Sequence, residues 1–274
     1  GARPDEIDIS GDTPLHLAAQ GGHTQSISAL LTSGANRDLR NGHNLTPLSR
    51  AFHGNHVQAA EKLLLMARAG RSDANYLDGL EYYWALVERA AENRQLDMLR
   101  MLISWGGNLP ERQLKLLILN PLLGRVADGF CIQNNASIIK YLIESGADTE
   151  FSVDDGFTAL LSAASKPGSC PRNILALLRG GANVNAQTQA DMTALHFACR
   201  RSDVVAVRLL LRWGAEETVT SDDGRTAMDV VGSGPGIINS DQADDDRIRR
   251  MLARALTNRS WRRRSWLVLC RSCP

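Results

Sequence analysis

Residues Gly11 to Ala35 read GDTPLHLAAQGGHTQSISALLTSGA. Thr13 can accept an N–H from the first turn of a helix, and Pro14 suits the first helical position, where its missing donor costs nothing. Leu15, Leu17 and Ala18 are assigned to the core, and the small Ala18-Ala19 pair lets a second helix approach closely. Gly21-Gly22 ends the first helix. Ile27, Leu30 and Leu31 form the apolar stripe of a second one at i, i+3, i+4. Gly34 closes it in the left-handed conformation that glycine tolerates. Asn36 to Gly42 is polar and turn-rich and reads as a hairpin-like finger leading onward. One such unit has too small a core to fold alone and needs neighbours on which to bury its faces.

The unit returns. Thr46-Pro47-Leu48, Thr158-Ala159-Leu160, Thr193-Ala194-Leu195-His196 and Thr226-Ala227-Met228 repeat the opening. Thr13 to Thr46 is 33 residues, Thr158 to Thr193 is 35 and Thr193 to Thr226 is 33. The 112 residues from Thr46 to Thr158 hold three periods of 33 with 13 left over for insertions. The closing residues keep the same beat at Gly34, Gly70, Gly106, Gly146, Gly181 and Gly214.

The Thr-Pro-Leu-His-x-Ala opening and the 33-residue period resemble the ankyrin repeat family. The resemblance runs from about Asp8 to about Leu256 and is sharpest in the first, fifth and sixth units. It implies an all-α ankyrin-repeat solenoid of stacked helix-turn-helix units with hairpin-like fingers, six to seven units in all. The units fall near 8–41, 42–78, 79–110, 111–153, 154–188 and 189–221, with a partial unit at 222–256 and a basic Trp/Arg tail or C-terminal cap at 257–274. The middle is irregular. Pro110 to Gly124 reads as added residues between the third and fourth units, Phe130-Cys131 as the Ala-Ala slot of the fourth, and Gly232–Gly236 as a link to a last helix near Asp244–Leu256. These departures have two readings, drift within a tolerant core or a binding feature that includes Tyr82, Tyr83 and Trp84. Asp8-Ile9-Ser10-Gly11 resembles the close of a finger, so the natural protein is expected to begin earlier.

Composition narrows the function. The chain carries 31 basic and 30 acidic residues, a net charge of +1, with no global pull toward nucleic acid or an anionic membrane. Five cysteines in 274 residues argue against a disulfide framework and suit a reducing compartment, so an intracellular location, cytoplasmic or nuclear, is expected. No apolar run reaches the roughly 20 residues of a membrane-spanning helix. His16 and His196 sit inside the repeated motif, where the resemblance implies a structural role. Cys270-x-x-Cys273 lacks the second pair that a structural zinc site uses. No Ser-His-acid or paired-carboxylate constellation can be placed, and no catalytic residue, cofactor or metal is expected. Trp105 and Trp213 share one phase, either covering the second helix or forming a paired hot spot. The run Arg259 to Leu269 either covers the last repeat or binds an anionic surface.

The resemblance implies a non-enzymatic, monomeric module that binds a protein partner through its concave face. The matching phases pick out Arg40, Asn41, His43, Phe52 and His53, then Tyr82 and Tyr83. They continue through Asp155, Phe157, Lys166, Gln189, Met192, Arg200, Arg201, Asp222, Asp223 and Arg225. The alternatives are a targeting or regulatory region of a larger enzyme or channel polypeptide, and anionic-ligand binding through the Arg/Trp tail.

Overall fold

The computed structural model describes residues 3–68, 78–105, 114–128, 135–152, 154–166, 170–234 and 242–257. The chain divides into two bodies, Gly1–Leu109 and Pro110–Pro274. Both are built from antiparallel helix pairs. Among the described residues the only β pairing is two isolated bridges, Gln187 with Thr193 and Thr220 with Thr226, so the all-α class expected from the repeat is what forms.

In the N-terminal body, α1 (Pro14–Gln20) pairs with α2 (Thr24–Thr32), α3 (Pro47–His53) with α4 (Val57–Arg68), and α5 (Asp78–Glu92) with α6 (Leu96–Trp105). First helices pack on first helices, α1 on α3, and second on second, α2 on α4 and α4 on α6. Thr13 accepts the His16 backbone N–H, and the His16 ring returns to the Thr13 backbone, a capping box with Pro14 at the first position. Thr46 caps α3 in the same way through the Ser49 N–H at 3.2 Å. His16 does more than cap. Its Nε2 meets the Leu45 carbonyl at 2.9 Å, so Nε2 is the protonated nitrogen and Nδ1 accepts from Thr13. One side chain thereby closes its own helix and holds the next finger.

The C-terminal body repeats this logic. A π turn at Lys115–Leu119 runs into α7 (Asn120–Ala127), which pairs with α8 (Ala136–Glu144). Then come α9 (Ala159–Ser165) with α10 (Pro171–Arg179), α11 (Ala194–Arg200) with α12 (Val204–Arg212), and α13 (Gln242–Thr257), which packs on α12. Thr193 and His196 form a second capping box, and His196 Nε2 reaches the Arg225 carbonyl at 3.2 Å. In the seventh repeat Asp229 stands where the histidine would be and accepts both the Thr226 N–H at 2.8 Å and its hydroxyl at 2.6 Å. Residues 227–232 form turns, and α13 caps the stack with Ile248 and Leu252 fully buried.

Gly34, Gly146, Gly181 and Gly214 follow their second helices at φ between +87° and +96°, the left-handed closure read from the sequence. Two readings of the sequence are corrected. The apolar stretch Leu114 to Leu119 is not an inserted link but leads the first helix of the fourth repeat. The helix extends through Ala127, and α7 packs on α9 as the other first helices pack on theirs. Pro121 cannot donate to the preceding turn, and the wider π turn just before it accommodates that loss. Phe130-Cys131 lies outside the described residues, as do Gly70, Gly106 and the run Arg259 to Leu269. Leu17, assigned to the core, is 49% exposed. Leu30 and Leu31 are only half-buried, leaving Ile27 as the fully buried residue of α2.

Candidate functional site

The fingers are built alike. In each, a backbone N–H donates to the carbonyl four residues on: Asn41 to Leu45 at 2.9 Å, Thr188 to Met192 at 3.0 Å and Ser221 to Arg225 at 2.9 Å. Neighbouring fingers are also joined backbone to backbone. Gly42 N–H donates to Ser10 at 3.0 Å, Gln189 N–H to Asp155 at 3.0 Å and Asp222 N–H to Ala190 at 3.1 Å. Gly42 fits because a Cβ there would stand 2.7 Å from the Ser10 carbonyl oxygen. This bonding holds the finger tips in fixed register without help from a ligand.

In the C-terminal body the register produces a groove of about 600 Å³. Its lining follows the repeat. The residue before each capping threonine contributes Phe157, Met192 and Arg225. The residue four beyond the cap contributes Phe197 and Val230, and the residue seven beyond contributes Arg200 and Ser233. The finger tips add Asp155, Thr188, Gln189, Ala190, Ser221, Asp222 and Asp223. The floor is apolar. Phe157 and Phe197 lie with ring centroids 5.6 Å apart and planes tilted by 40°, inside the range where aromatic pairs attract.

The rim is charged. Arg225 Nε donates to Asp223 at 2.6 Å, its Nη2 binds the same oxygen, and the Ser221 hydroxyl donates to Asp223 at 2.5 Å. Led by the Arg225 hydrogen bonds, these partners hold the Asp223 carboxyl down at about 2. Asp223 and Arg225 therefore neutralise each other. The carboxylates of Asp155 and Asp222 and the guanidinium of Arg200 make no side-chain hydrogen bond or ion pair among the described residues. Three aspartates against two arginines leave the lining with one uncompensated negative charge.

The N-terminal body fills the same positions differently. Asp12 and Leu45 precede the caps, and Leu17 and Arg50 stand four beyond them. Arg50 forms an ion pair with Asp12, which also accepts Asn41 Nδ2 at 2.6 Å. Burial alone raises the Asp12 carboxyl, but the hydrogen bonds from Asn41 and Arg50 prevail and hold it below its ordinary value. A salt bridge thus occupies the face that stays open in the C-terminal body. Leu17 is exposed because its position faces outward, like Phe197, and not into the stack.

Of the residues picked from the sequence, Asp155, Phe157, Gln189, Met192, Arg200, Asp222, Asp223 and Arg225 converge on the groove. Lys166 lies outside it and pairs with Asp128 at 3.3 Å, and Arg201 turns to the Ala164 carbonyl at 3.4 Å. Arg40 and His43 are exposed on their finger. His53 is exposed, with Nδ1 bound to the Ser49 carbonyl of its own helix at 2.7 Å. Three picks are corrected. Phe52 is 1% exposed and fills the core. Tyr83 is buried, its hydroxyl donating to the Leu102 carbonyl at 2.6 Å, so it joins α5 to α6. Asn41 is buried as the organiser of its finger, accepting from the His43 and Leu45 N–H groups. The Tyr82 side chain lies outside the described residues, as does that of Trp105, while Trp213 is half-buried at the end of α12. Sequence reasoning missed Phe197 and Val230, although both lie four residues past a capping threonine.

Among the described residues, no group of three or more His, Cys, Asp or Glu side chains is placed so that it could hold a metal ion. No helix among them is long and apolar enough to cross a membrane.

Comparison with known proteins agrees with the geometry. Models of ankyrin repeats match residues 1–78 (three copies) and 177–231 (many copies). Both stretches carry ankyrin repeats. It is 28% identical over 240 residues to the ankyrin repeat and KH domain-containing protein mask-1 of Caenorhabditis elegans, a match covering 77% of this chain but 9% of that protein. The crystal structure of the Bcl-3 ankyrin repeat domain, described as a unique member of the IkappaB family, superposes with a TM-score of 0.59 at 25% identity. It covers 88% of this chain and 99% of that one. The human ASB11 ankyrin repeat domain superposes with a TM-score of 0.57 at 21% identity, covering 89% and 98%.

Proposed function

We propose that this chain is a protein-binding module that receives part of its partner in the groove between Asp155 and Ser233. Ankyrin repeats in general serve as protein–protein interaction modules, and the groove is the surface of this chain best suited to that use. One observation carries the reading: eight residues chosen by repeat phase alone come together around an apolar floor with unpaired charges at the rim. Backbone bonds between fingers fix the surface beforehand, so little order must be gained on binding. The test is affinity capture from lysate with quantitative mass spectrometry, comparing the parent with Phe157→Glu and Met192→Glu. Both variants are expected to lose the partner while still melting cooperatively, and Arg212→Glu, exposed on α12, retains it. Equal capture by all four proteins overturns the proposal.

A further inference from the structure

From the spacing of the unpaired charges around the groove we infer the chemistry of the occupant: an extended segment presenting a basic residue, a large apolar residue and a second basic residue on one face. This rests on the binding role proposed above and specifies what fills the groove. Asp155 and Asp222 stand on fingers two repeats apart, linked through the backbone bonds from Gln189 to Asp155 and from Asp222 to Ala190. Two such hydrogen-bonded steps and one residue along the chain put their backbones no more than about 15 Å apart. An extended chain advances about 3.3 Å per residue and turns alternate side chains to the same face, so residues i and i+4 reach the two carboxylates while i+2 points between them. The floor beneath i+2 is Phe157, Met192 and Phe197.

The charges enforce the order. Asp223 takes the hydrogen bonds of Arg225, and Asp222 feels Arg225 only through space, so the carboxylates of Asp155 and Asp222 keep their hydrogen-bonding capacity for cations at the two ends. Arg200 stands one helical turn beyond Phe197 on α11 and lines the same groove. Its positive charge repels a base at the central position, so the bases belong at the rim and the apolar residue at the centre. The Gln189 side chain between the two carboxylates can pair with the backbone of the segment.

The test is selection of short randomised peptides displayed against the full chain. Enriched peptides are expected to carry Lys or Arg at two positions about four apart, with Leu, Met or an aromatic residue midway. Replacing both carboxylates, Asp155→Lys with Asp222→Lys, is expected to weaken these peptides by about tenfold and to select acidic residues at the same two positions instead. Both positions are exposed, and because Asp155 sits at φ +61°, Asp155→Asn with Asp222→Asn, which suits that conformation, is the companion swap expected to weaken the peptides at an unchanged melting curve. Three results overturn the inference: recovery of no peptide, recovery of peptides lacking the pattern, or affinity indifferent to the two lysines. If Met192→Glu abolishes binding while the lysines do not matter, the charge pattern fails and the groove stands as a docking surface. If neither change matters, both proposals fail.

Discussion

Asp12→Ala is expected to be among the most damaging single changes in the N-terminal body, and its cost can be worked from the structure. The Asp12 side chain is 5% exposed and that of its partner Arg50 is 18% exposed. Removing the carboxylate strands a largely buried guanidinium, whose Nε already lacks a partner among the described residues, and the Asn41 amide that organises the finger. Removing one member of a buried ion pair costs about 3–5 kcal/mol, and the residual exposure of Arg50 lets water recover part of it, giving about 2–4 kcal/mol here. Urea titration followed by far-UV circular dichroism measures this as a lower midpoint at unchanged slope. Adding Arg50→Met removes the stranded cation and is expected to restore about 1 kcal/mol or more. The pH dependence has a definite sign. The folded carboxyl titrates below its ordinary value of 3.8, so the stabilisation is present above that value and is lost as the pH falls through the folded one. A single variant within about 0.5 kcal/mol of the parent, or a double variant no more stable than the single, refutes the reasoning.

Three further outcomes are expected. Gly34→Ala and Gly181→Ala place a Cβ where nothing lies within 4 Å, at φ of +87° and +94°, so each costs about 1 kcal/mol by backbone conformation alone, read from thermal melting. Burial lowers the His196 pKa below 6.5, and its contribution is therefore present above 6.5 and lost as the pH falls further. Melting from about pH 7.5 to about pH 5.5 is expected to show a decline that His196→Gln reduces, and an identical decline in the variant contradicts the assignment. Cys199 is fully buried and its thiol is pushed far up, so iodoacetamide is expected to label half-buried Cys170 before Cys199, as peptide mass spectrometry resolves.

The repeat was legible because four kinds of local signal agree at one period. Thr13 caps, Pro14 opens, His16 ties the next finger, and Gly34 closes at positive φ. Each is a backbone requirement that few residue types meet. The first helix of the fourth repeat was not legible because Pro121 looks like a breaker, and nothing in the pattern announces the π turn that absorbs it. Phe52 and Tyr83 were misread because an aromatic at a surface phase satisfies the rule for an interface as well as the rule for a core. Only the packing partner decides, and for Tyr83 that partner, Leu102, lies 19 residues away. The groove was half visible. Phase alone found Phe157, Met192 and Arg225, but the ion pair of Asp12 with Arg50, which fills the matching face of the N-terminal body, joins residues 38 apart and follows from no motif.

The stacking of repeats that forms the groove floor is tested most directly by nuclear Overhauser cross-peaks between the rings of Phe157 and Phe197 in selectively labelled protein. Cross-peaks that vanish in Phe157→Leu are expected from centroids 5.6 Å apart on consecutive repeats. Assigned rings without a cross-peak in the folded parent contradict the stack and the groove with it.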